Sequence, residues 1–156
     1  MAVAHLDSIR AAGPRFYPPN VVDDWADGLT GDVYVKAMGK GETFFIATGE
    51  IEGNAAVLGF ASTYVLEGAR FGTSVYVRGG AARRGIGSAL LQKAEACAIA
   101  RGATSIQVEA SLAGVEFYKA NGFVELARGK AQLMSGRSIA CVFMRKALGL
   151  PHDRSD

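Results

Sequence analysis

The chain is poor in the residues that build metal centres and disulfide frameworks. It has two histidines, His5 and His152, near opposite ends of the sequence, and two cysteines, Cys97 and Cys141. A structural metal site needs several such ligands brought together, so no metal site is predicted. The cysteines lie within apolar helix and strand patterns, which favours reduced core thiols of a cytoplasmic protein over a disulfide.

Long apolar runs and a strong charge of one sign are also missing. No stretch approaches the roughly 18 apolar residues of a membrane-spanning helix, and no basic segment followed by an apolar one indicates a secretion signal. The formal net charge of +2 is too small to indicate a nucleic-acid-binding surface. We therefore expect a cytoplasmic protein that binds neither a membrane nor nucleic acid.

What remains is the composition of an ordinary folded domain. Apolar residues make up 49% of the 156 residues and charged residues 21%, and this length suits one hydrophobic core. Residues 1–148 are predicted to form a single domain, and 149–156 a flexible polar tail. A homodimer is compatible with the sequence but is not indicated by it.

Hydrophobic spacing predicts helices at the start of the chain and strands afterwards. Ala2 to Ala12 has the spacing of a short helix, Val21 to Leu29 that of a second, and Asp32 is expected to cap a third that runs to Met38. From Glu42 the period changes to that of strands. Strands are predicted at Thr43–Thr48, Ala55–Val65 and Gly72–Val77, with a turn over 49–54 between the first two.

The second half of the chain alternates between helix and strand patterns. A helix is predicted from about Gly87 to Ala100, with one stripe formed by Ile86, Leu90, Ala94, Cys97 and Arg101. The later predicted elements are a strand Ala103–Ala110, a helix Ser111–Ala120, a strand Phe123–Leu126, a polar loop Arg128–Arg137 and a strand Ser138–Arg145. A strand–helix–strand crossover implies one parallel pair within a mostly antiparallel sheet.

Glycine and arginine cluster where the strand ending at Val77 runs into the helix pattern. Between Gly68 and Ala94 there are five basic residues and no acidic one. The first turn of a helix has backbone N–H groups without intrahelical partners and carries partial positive charge, and glycine lets an anion approach them closely. This segment is therefore predicted to bind a phosphate group.

Two phosphate-binding motifs were compared with this segment. A P-loop requires a lysine and then serine or threonine after its second glycine, but Ile86 and Gly87 follow Gly85. A dinucleotide fingerprint requires a third small residue where Leu90 stands, although Glu109 lies near the position of its expected acidic residue. A nicotinamide-dinucleotide-binding protein therefore stays open as the second interpretation.

A second motif follows further along the chain, where Phe117-Tyr118 precedes Gly122-Phe123. With the glycine- and arginine-rich turn, it makes the chain resemble the GNAT superfamily of N-acetyltransferases from about Glu42 to Arg145. The resemblance implies an α+β fold with a mixed, mostly antiparallel central sheet, one parallel splayed strand pair and helices on both faces. It also implies acetyl-CoA as the donor substrate and an amine as the acceptor.

The resemblance assigns the candidate site residues. The pyrophosphate is expected on the N–H groups of Arg83 to Ser88, and Tyr118 is expected to donate a proton to the leaving thiolate. Glu109 is the first candidate for the base, with Glu67, Glu42 and proton loss through water as alternatives. The residues implied to contact acetyl-CoA are Tyr76, Val77, Arg78, Ala82, Arg83, Arg84, Gly85, Ile86, Gly87, Ser88, Ser111 and Tyr118.

The chain departs from the family pattern at three places. Ala82 stands where the family has glutamine or arginine, and Arg83 replaces a usual glycine. Ser111 replaces an asparagine that opens the later helix, where it is expected to cap that helix. The family begins with a strand, whereas this sequence begins with a helix pattern.

The acceptor amine stays open between a small molecule and a peptide. Its side of the site is expected to include the strand Gly72–Val75, the loop Arg128–Arg137 and aromatic residues of the first helices, unless these belong to the core. Those aromatic residues are Phe16, Tyr17, Trp25 and Tyr34. A non-catalytic CoA-binding module is the third interpretation, and it predicts binding without release of the CoA thiol.

Overall fold

The computed structural model describes residues 1–149. The predicted tail, 149–156, lies outside the described residues except for Gly149. The helices are α1 (Ala2–Ala12), α2 (Pro19–Ala26), α3 (Gly31–Gly39), α4 (Ile86–Ala100) and α5 (Val115–Ala120). The strands are β1 (Thr43–Ile51), β2 (Asn54–Glu67), β3 (Arg70–Val77), β4 (Ser105–Ser111), β5 (Val124–Gln132) and β6 (Ser138–Ala147).

The strands form one sheet in the order β1-β2-β3-β4-β6-β5. Every neighbouring pair is antiparallel except β3 and β4, which are parallel and joined through the crossover helix α4. The predicted fold class, with one parallel pair in a mostly antiparallel sheet, is confirmed. The repeated parallel strand–helix units of a dinucleotide-binding fold do not occur among the described strands.

The parallel pair separates soon after it forms. Residues Arg70–Gly72 of β3 pair with Ser105–Gln107 of β4, and no residue beyond Gly72 pairs with β4 in the described sheet. The rest of β3 stays paired with β2 as far as Val77. A gap therefore opens between β3 and β4 toward the carboxyl end of β3.

Helices cover both faces of the sheet. Phe60 and Ala61 are adjacent in β2, so their side chains point to opposite faces. Ala61 packs with Leu90 and Ala94 of α4, whereas the Phe60 ring lies 5.6 Å from that of Tyr34 in α3. Both cysteines are free thiols, one in α4 and the other in β6.

Three predicted details of the elements up to α4 were wrong. The cap of α3 is Thr30, without a side-chain cap hydrogen bond, and Asp32 lies inside the first turn. The β1–β2 turn is shorter than predicted because Glu52 and Gly53 both adopt positive φ, as in the two-residue hairpins that match strand twist. Arg101 lies beyond the end of α4, whose buried residues are Leu90, Leu91, Ala94 and Ala98.

Two predicted boundaries of the second half were also wrong. Ser111 does not cap a helix, because it pairs with Cys141 as the last residue of β4, and α5 begins only after Gly114. The segment 128–132 is not a loop but the second half of β5. Because β5 is an edge strand with most residues exposed, it lacks the apolar alternation that indicates a strand.

The expectation of a chain that begins in a helix is confirmed, since residues 1–42 contain no strand. The strand that the family places first is therefore not among the described elements. As a consequence β1 forms one edge of the sheet, and Ile46 within it is 53% exposed.

His5 of α1 lies in an aromatic cluster between the helices and the sheet. Its Nδ1 is 2.8 Å from the Tyr34 hydroxyl, and its ring centroid is 3.8 Å from that of Tyr76. Its Nε2 is buried and has no hydrogen-bond partner among the described residues. Burial, and then the charge of the N-terminus, lowers the pKa of His5 to about 4, so the folded protein holds the neutral imidazole at neutral pH.

We predict that His5 makes the fold acid-sensitive. In the unfolded chain His5 binds a proton with a pKa near 6.5. The contribution of neutral His5 to the free energy of unfolding is therefore complete above that pH, and it decreases as the pH falls toward the pKa of the folded state. Between about pH 7 and 4.5 the loss due to His5 is about 2.5 kcal/mol. Denaturant unfolding of His5→Gln should show an acid loss smaller by that amount, and an unchanged acid loss would contradict the assignment.

Candidate functional site

The turn before α4 has a backbone shaped for an anion. Arg83 and Gly85 both adopt positive φ, 62° and 79°, and α4 begins at Ile86. The first helical bond is donated by the N–H of Ala89 to the carbonyl of Gly85 at 3.0 Å. Among the described residues, no acceptor is bonded to the backbone N–H groups of residues 83–88. These six donors and the helix dipole together favour bound phosphate.

Arginine adds charge around this turn. Arg83 and Arg84 are exposed, and neither forms an ion pair within the described residues. Arg78 is more constrained, because its Nε donates to the carbonyl of Val57 at 2.7 Å. Ala82 is exposed and extended, so it contributes backbone but no charge.

Close packing fixes both ends of the turn. A Cβ at Gly87 would lie 2.9 Å from Cε2 of Phe117, so glycine lets α4 approach α5. On the other side, the Gly79 N–H donates to Oδ2 of Asp7 at 2.9 Å. A Cβ at Gly79 would lie 2.5 Å from Cβ of Ala11, so α1 is packed directly against the start of the turn.

A cavity of about 240 Å³ occupies the gap between β3 and β4. We call it the inner cavity. Its wall includes Trp25, Tyr64, Val75, Tyr76, Glu109, Ser111 and Tyr118. The structure therefore brings together Tyr76 of β3, Glu109 and Ser111 of β4, and Tyr118 of α5.

Tyr118 of α5 faces the diverging part of β3. Its hydroxyl oxygen accepts a hydrogen bond from the Val75 N–H at 3.2 Å, and its ring packs edge-on against Phe117 and Phe123. Burial, and then the neighbouring Tyr76, raises the pKa of Tyr118 well above its usual range, while the Val75 hydrogen bond opposes the shift. The phenol is therefore protonated at neutral pH, and its own hydrogen is not used to bond Val75.

The backbone of β3 presents donors to the same gap. The Arg78 N–H donates to the carbonyl of Leu58 at 2.8 Å, on the β2 side. Since donors alternate along an antiparallel pair, the N–H of Tyr76 also points toward β2, and those of Val75 and Val77 point toward β4. Val77 therefore offers a backbone N–H at the gap, where β4 no longer pairs with β3.

The three candidate bases lie at different places. Glu109 lines the inner cavity with Tyr118. Glu67 is exposed and bonded to Arg70 at 3.0 Å in the β2–β3 turn. Glu42 lies further out, beside Tyr64. Glu109 is therefore the carboxylate that shares a cavity with the candidate acid.

The aromatic residues expected on the acceptor side divide between site and core. Trp25 lines the inner cavity. Tyr34 is buried and belongs to the core, and the Tyr17 hydroxyl is bonded to the carbonyl of Ala140 and the N–H of Leu112. Phe16 is 47% exposed and lines neither cavity described here.

Sequence reasoning missed Tyr64 and a second cavity beside it. This outer cavity, of about 700 Å³, is lined by the α2–α3 connection, α3, the end of β2, Arg101 and Met134. Tyr64 lines both cavities. No sequence signal indicated a role for Tyr64, because in the sequence it is one of many apolar residues in a long predicted strand.

Among the described residues, no cluster of three potential metal ligands occurs. No helix within residues 1–149 has the length and apolar character needed to cross a membrane.

Comparison with known proteins agrees with this geometry. The family model described as acetyltransferase (GNAT) domain matches residues 40–125, which include β1 to β4, the phosphate turn and α5. The chain belongs to the GNAT acetyltransferase family. Among curated proteins, none was similar enough to count as a match.

Several solved structures of this family share the fold. A GCN5-related N-acetyltransferase from Rhodopseudomonas palustris is 28% identical, with a TM-score of 0.77 over 94% of this chain and 87% of that one. A ribosomal-protein-alanine N-acetyltransferase from Brucella melitensis is 27% identical, with a TM-score of 0.60 over 80% and 83%. A phosphinothricin acetyltransferase from Sinorhizobium meliloti, in complex with acetyl-CoA, is 25% identical, with a TM-score of 0.59 over 75% and 66%.

The positive φ of Arg83 leads to a prediction about the turn. A non-glycine residue in the left-handed region costs about 1 kcal/mol, so Arg83→Gly should be about 1 kcal/mol more stable than Arg83→Ala in thermal unfolding. Both variants lose the same charge, so both should bind CoA more weakly than the parent. Equal stabilities for the two variants would show that the turn is not held in this conformation.

Proposed function

We propose that this chain is an acetyl-CoA-dependent N-acetyltransferase that transfers an acetyl group to a primary amine of a small molecule or peptide. The proposal includes residues 1–148 acting as one domain in the cytoplasm. The observation that supports the proposal most strongly is that strand β3 joins the inner cavity to the turn before α4. The diverging end of β3 lines the inner cavity, and the chain runs directly from there into the turn with six free N–H groups.

The chain offers complementary groups along the whole length of a CoA-type donor. The N–H groups of residues 83–88 bind the diphosphate, and Arg83 and Arg84 add positive charge. The N–H of Val77 pairs with the amide-containing arm, as an additional strand would. Ser111 offers a hydroxyl in the inner cavity. The phosphinothricin acetyltransferase, which was crystallised with acetyl-CoA, supports this assignment.

Bound acetyl-CoA supplies a thioester carbonyl that a neutral amine can attack. A C–N bond forms, the C–S bond breaks, one proton leaves nitrogen and one is taken up by sulfur. The Val75 N–H faces the same gap and, beside its hydrogen bond to the Tyr118 oxygen, is the donor that stabilises the negative charge developing on the carbonyl oxygen. The protein therefore has to orient the two reactants and handle two protons.

Tyr118 handles the proton on the sulfur side. Its phenol is protonated, and its hydrogen is free to point into the inner cavity because the oxygen is the acceptor for Val75. A phenol with a raised pKa is a weak acid, so it first stabilises the developing thiolate as a hydrogen-bond donor. Proton transfer to sulfur is completed as the C–S bond breaks.

Glu109 handles the proton on the amine side. Among the described residues it is the one carboxylate that lines the inner cavity, and it is exposed enough to work directly or through a water molecule. A base at this position is needed because amines are mostly protonated at neutral pH, and only the neutral amine is nucleophilic.

The function is tested by measuring binding and turnover separately. Acetyl-CoA, CoA and NAD are titrated by calorimetry, and an amine panel is then screened with acetyl-CoA and a free-thiol readout. Binding of CoA and acetyl-CoA with amine-dependent thiol release is expected. Binding without thiol release would identify a non-catalytic CoA-binding module, and tight binding of NAD alone would contradict the proposal.

Tyr118→Phe should lower kcat by about 100-fold, because it removes the proton donor, while CoA affinity changes little. Tyr17→Phe is the matched control, since its phenol is bonded to backbone outside the inner cavity. The control should lose stability but keep its turnover per folded molecule. If Tyr118→Phe behaves like the control, the hydroxyl is structural.

Glu109→Gln should slow turnover about tenfold at neutral pH. The deficit should shrink as pH rises toward the pKa of the amine, because more of the acceptor is then already deprotonated. Glu67→Gln, at an exposed ion pair that lines neither cavity, should behave as the parent protein. A deficit that is constant across pH would argue against a role in amine deprotonation.

A further inference from the structure

The inner and outer cavities meet at a single side chain, Tyr64 of β2. Its ring lies across Gly72, the last residue of β3 that pairs with β4. A Cβ at Gly72 would lie 2.4 Å from Cζ of Tyr64, so only glycine allows the ring this position. The Tyr64 hydroxyl has no hydrogen-bond partner among the described side chains, although burial raises the pKa of this phenol. Tyr64 therefore forms the junction between the reacting centre and the outer cavity.

The net charge of the lining residues changes sign between the inner cavity and the outer cavity. Within residues 1–149, the inner cavity is lined by one carboxylate, Glu109, and by no lysine or arginine. At the junction, the charges of Glu42 and Glu109 both act on Tyr64. Beyond Tyr64, the outer cavity is lined by three cations and two carboxylates.

Two cations of the outer cavity have no counter-ion within contact. Asp32 and Lys36 are one helical turn apart on α3, with the acid first, so they offset one another. Lys40 and Arg101 form no ion pair within residues 1–149. The Arg101 guanidinium lies 5.4 Å from the centroid of the Phe71 ring, which limits its freedom and leaves its planar donors to the cavity.

We propose that the acceptor is an elongated amine with an anionic group at its far end. The amine lies in the inner cavity beside Glu109, the chain passes Tyr64, and the anionic group is bound by Lys40 and Arg101 in the outer cavity. This inference rests on the proposed function and specifies its substrate class.

The separation of the two ends sets the length of the acceptor. Arg101 lies over Phe71, and the reacting centre lies at Val75 of the same strand. At about 3.3 Å per residue, these positions are about 13 Å apart along β3. An α-amino acid is too short for both contacts, so the acceptor is an ω-amino acid, a peptide or a similarly long molecule.

The test compares three acceptors of equal length, ω-aminooctanoate, octylamine and octane diamine, with acetyl-CoA and a free-thiol readout. The kcat/KM of ω-aminooctanoate should exceed that of octylamine about tenfold, as expected for a charge-assisted contact, and that of the diamine by more. Arg101→Gln and Lys40→Gln should each reduce this preference. Arg145→Gln, at an exposed arginine of β6 that lines neither cavity, should leave it unchanged.

Preference for the diamine or for octylamine would overturn the inference, as would equal slowing of all three acceptors by Arg101→Gln. Calorimetric binding of the three molecules to the CoA complex distinguishes failure of this inference from failure of the proposed function. Thiol release with any acceptor supports acetyl transfer whatever the preference. Selective binding of ω-aminooctanoate without thiol release would contradict the proposed function and retain the assigned ligand class.

Discussion

The early separation of β3 from β4 is the constraint on which the site depends. Backbone N–H groups that stop pairing must find other partners or lie open to a ligand. Val75 finds the hydroxyl of Tyr118, and Tyr64 covers the point of separation at Gly72. The point at which β3 stops pairing with β4 therefore positions both the Val75 N–H group and the side chains of the proposed site.

Strand β3 connects the paired part of the sheet to the inner cavity and to the turn before α4. Its paired end fixes it in the sheet, and its diverging end continues into the turn before α4. On the other face, α1 holds the same segment through the stacking of His5 on Tyr76 and the Asp7 bond to Gly79. The inner cavity and the turn before α4 therefore border one strand, so their relative position is set within a single sheet.

Features determined by neighbouring residues could be predicted from the sequence, whereas features assembled across the fold could not. The turn at Gly85 and the helix after it are local, and both were found. Ser111 was misplaced because its role is decided by pairing with Cys141, thirty positions later. Tyr64 carries no motif, since its position at the junction follows from a glycine in the next strand.

The turn before α4 shows that backbone conformation and side-chain charge depend differently on the residue at one position. Ala82 lacks the polar side chain, glutamine or arginine, that the family pattern has there, and Arg83 stands where that pattern has glycine. Arg83 nevertheless keeps a left-handed conformation, with φ of 62°, at a cost of about 1 kcal/mol. The backbone thus holds this conformation against the preference of the side chain, while the nearest positive charge stands one residue after Ala82. The direction of the backbone N–H donors depends on the backbone conformation, so a change in that conformation would misdirect them. A charge acts over several ångströms, so it can act from a neighbouring residue.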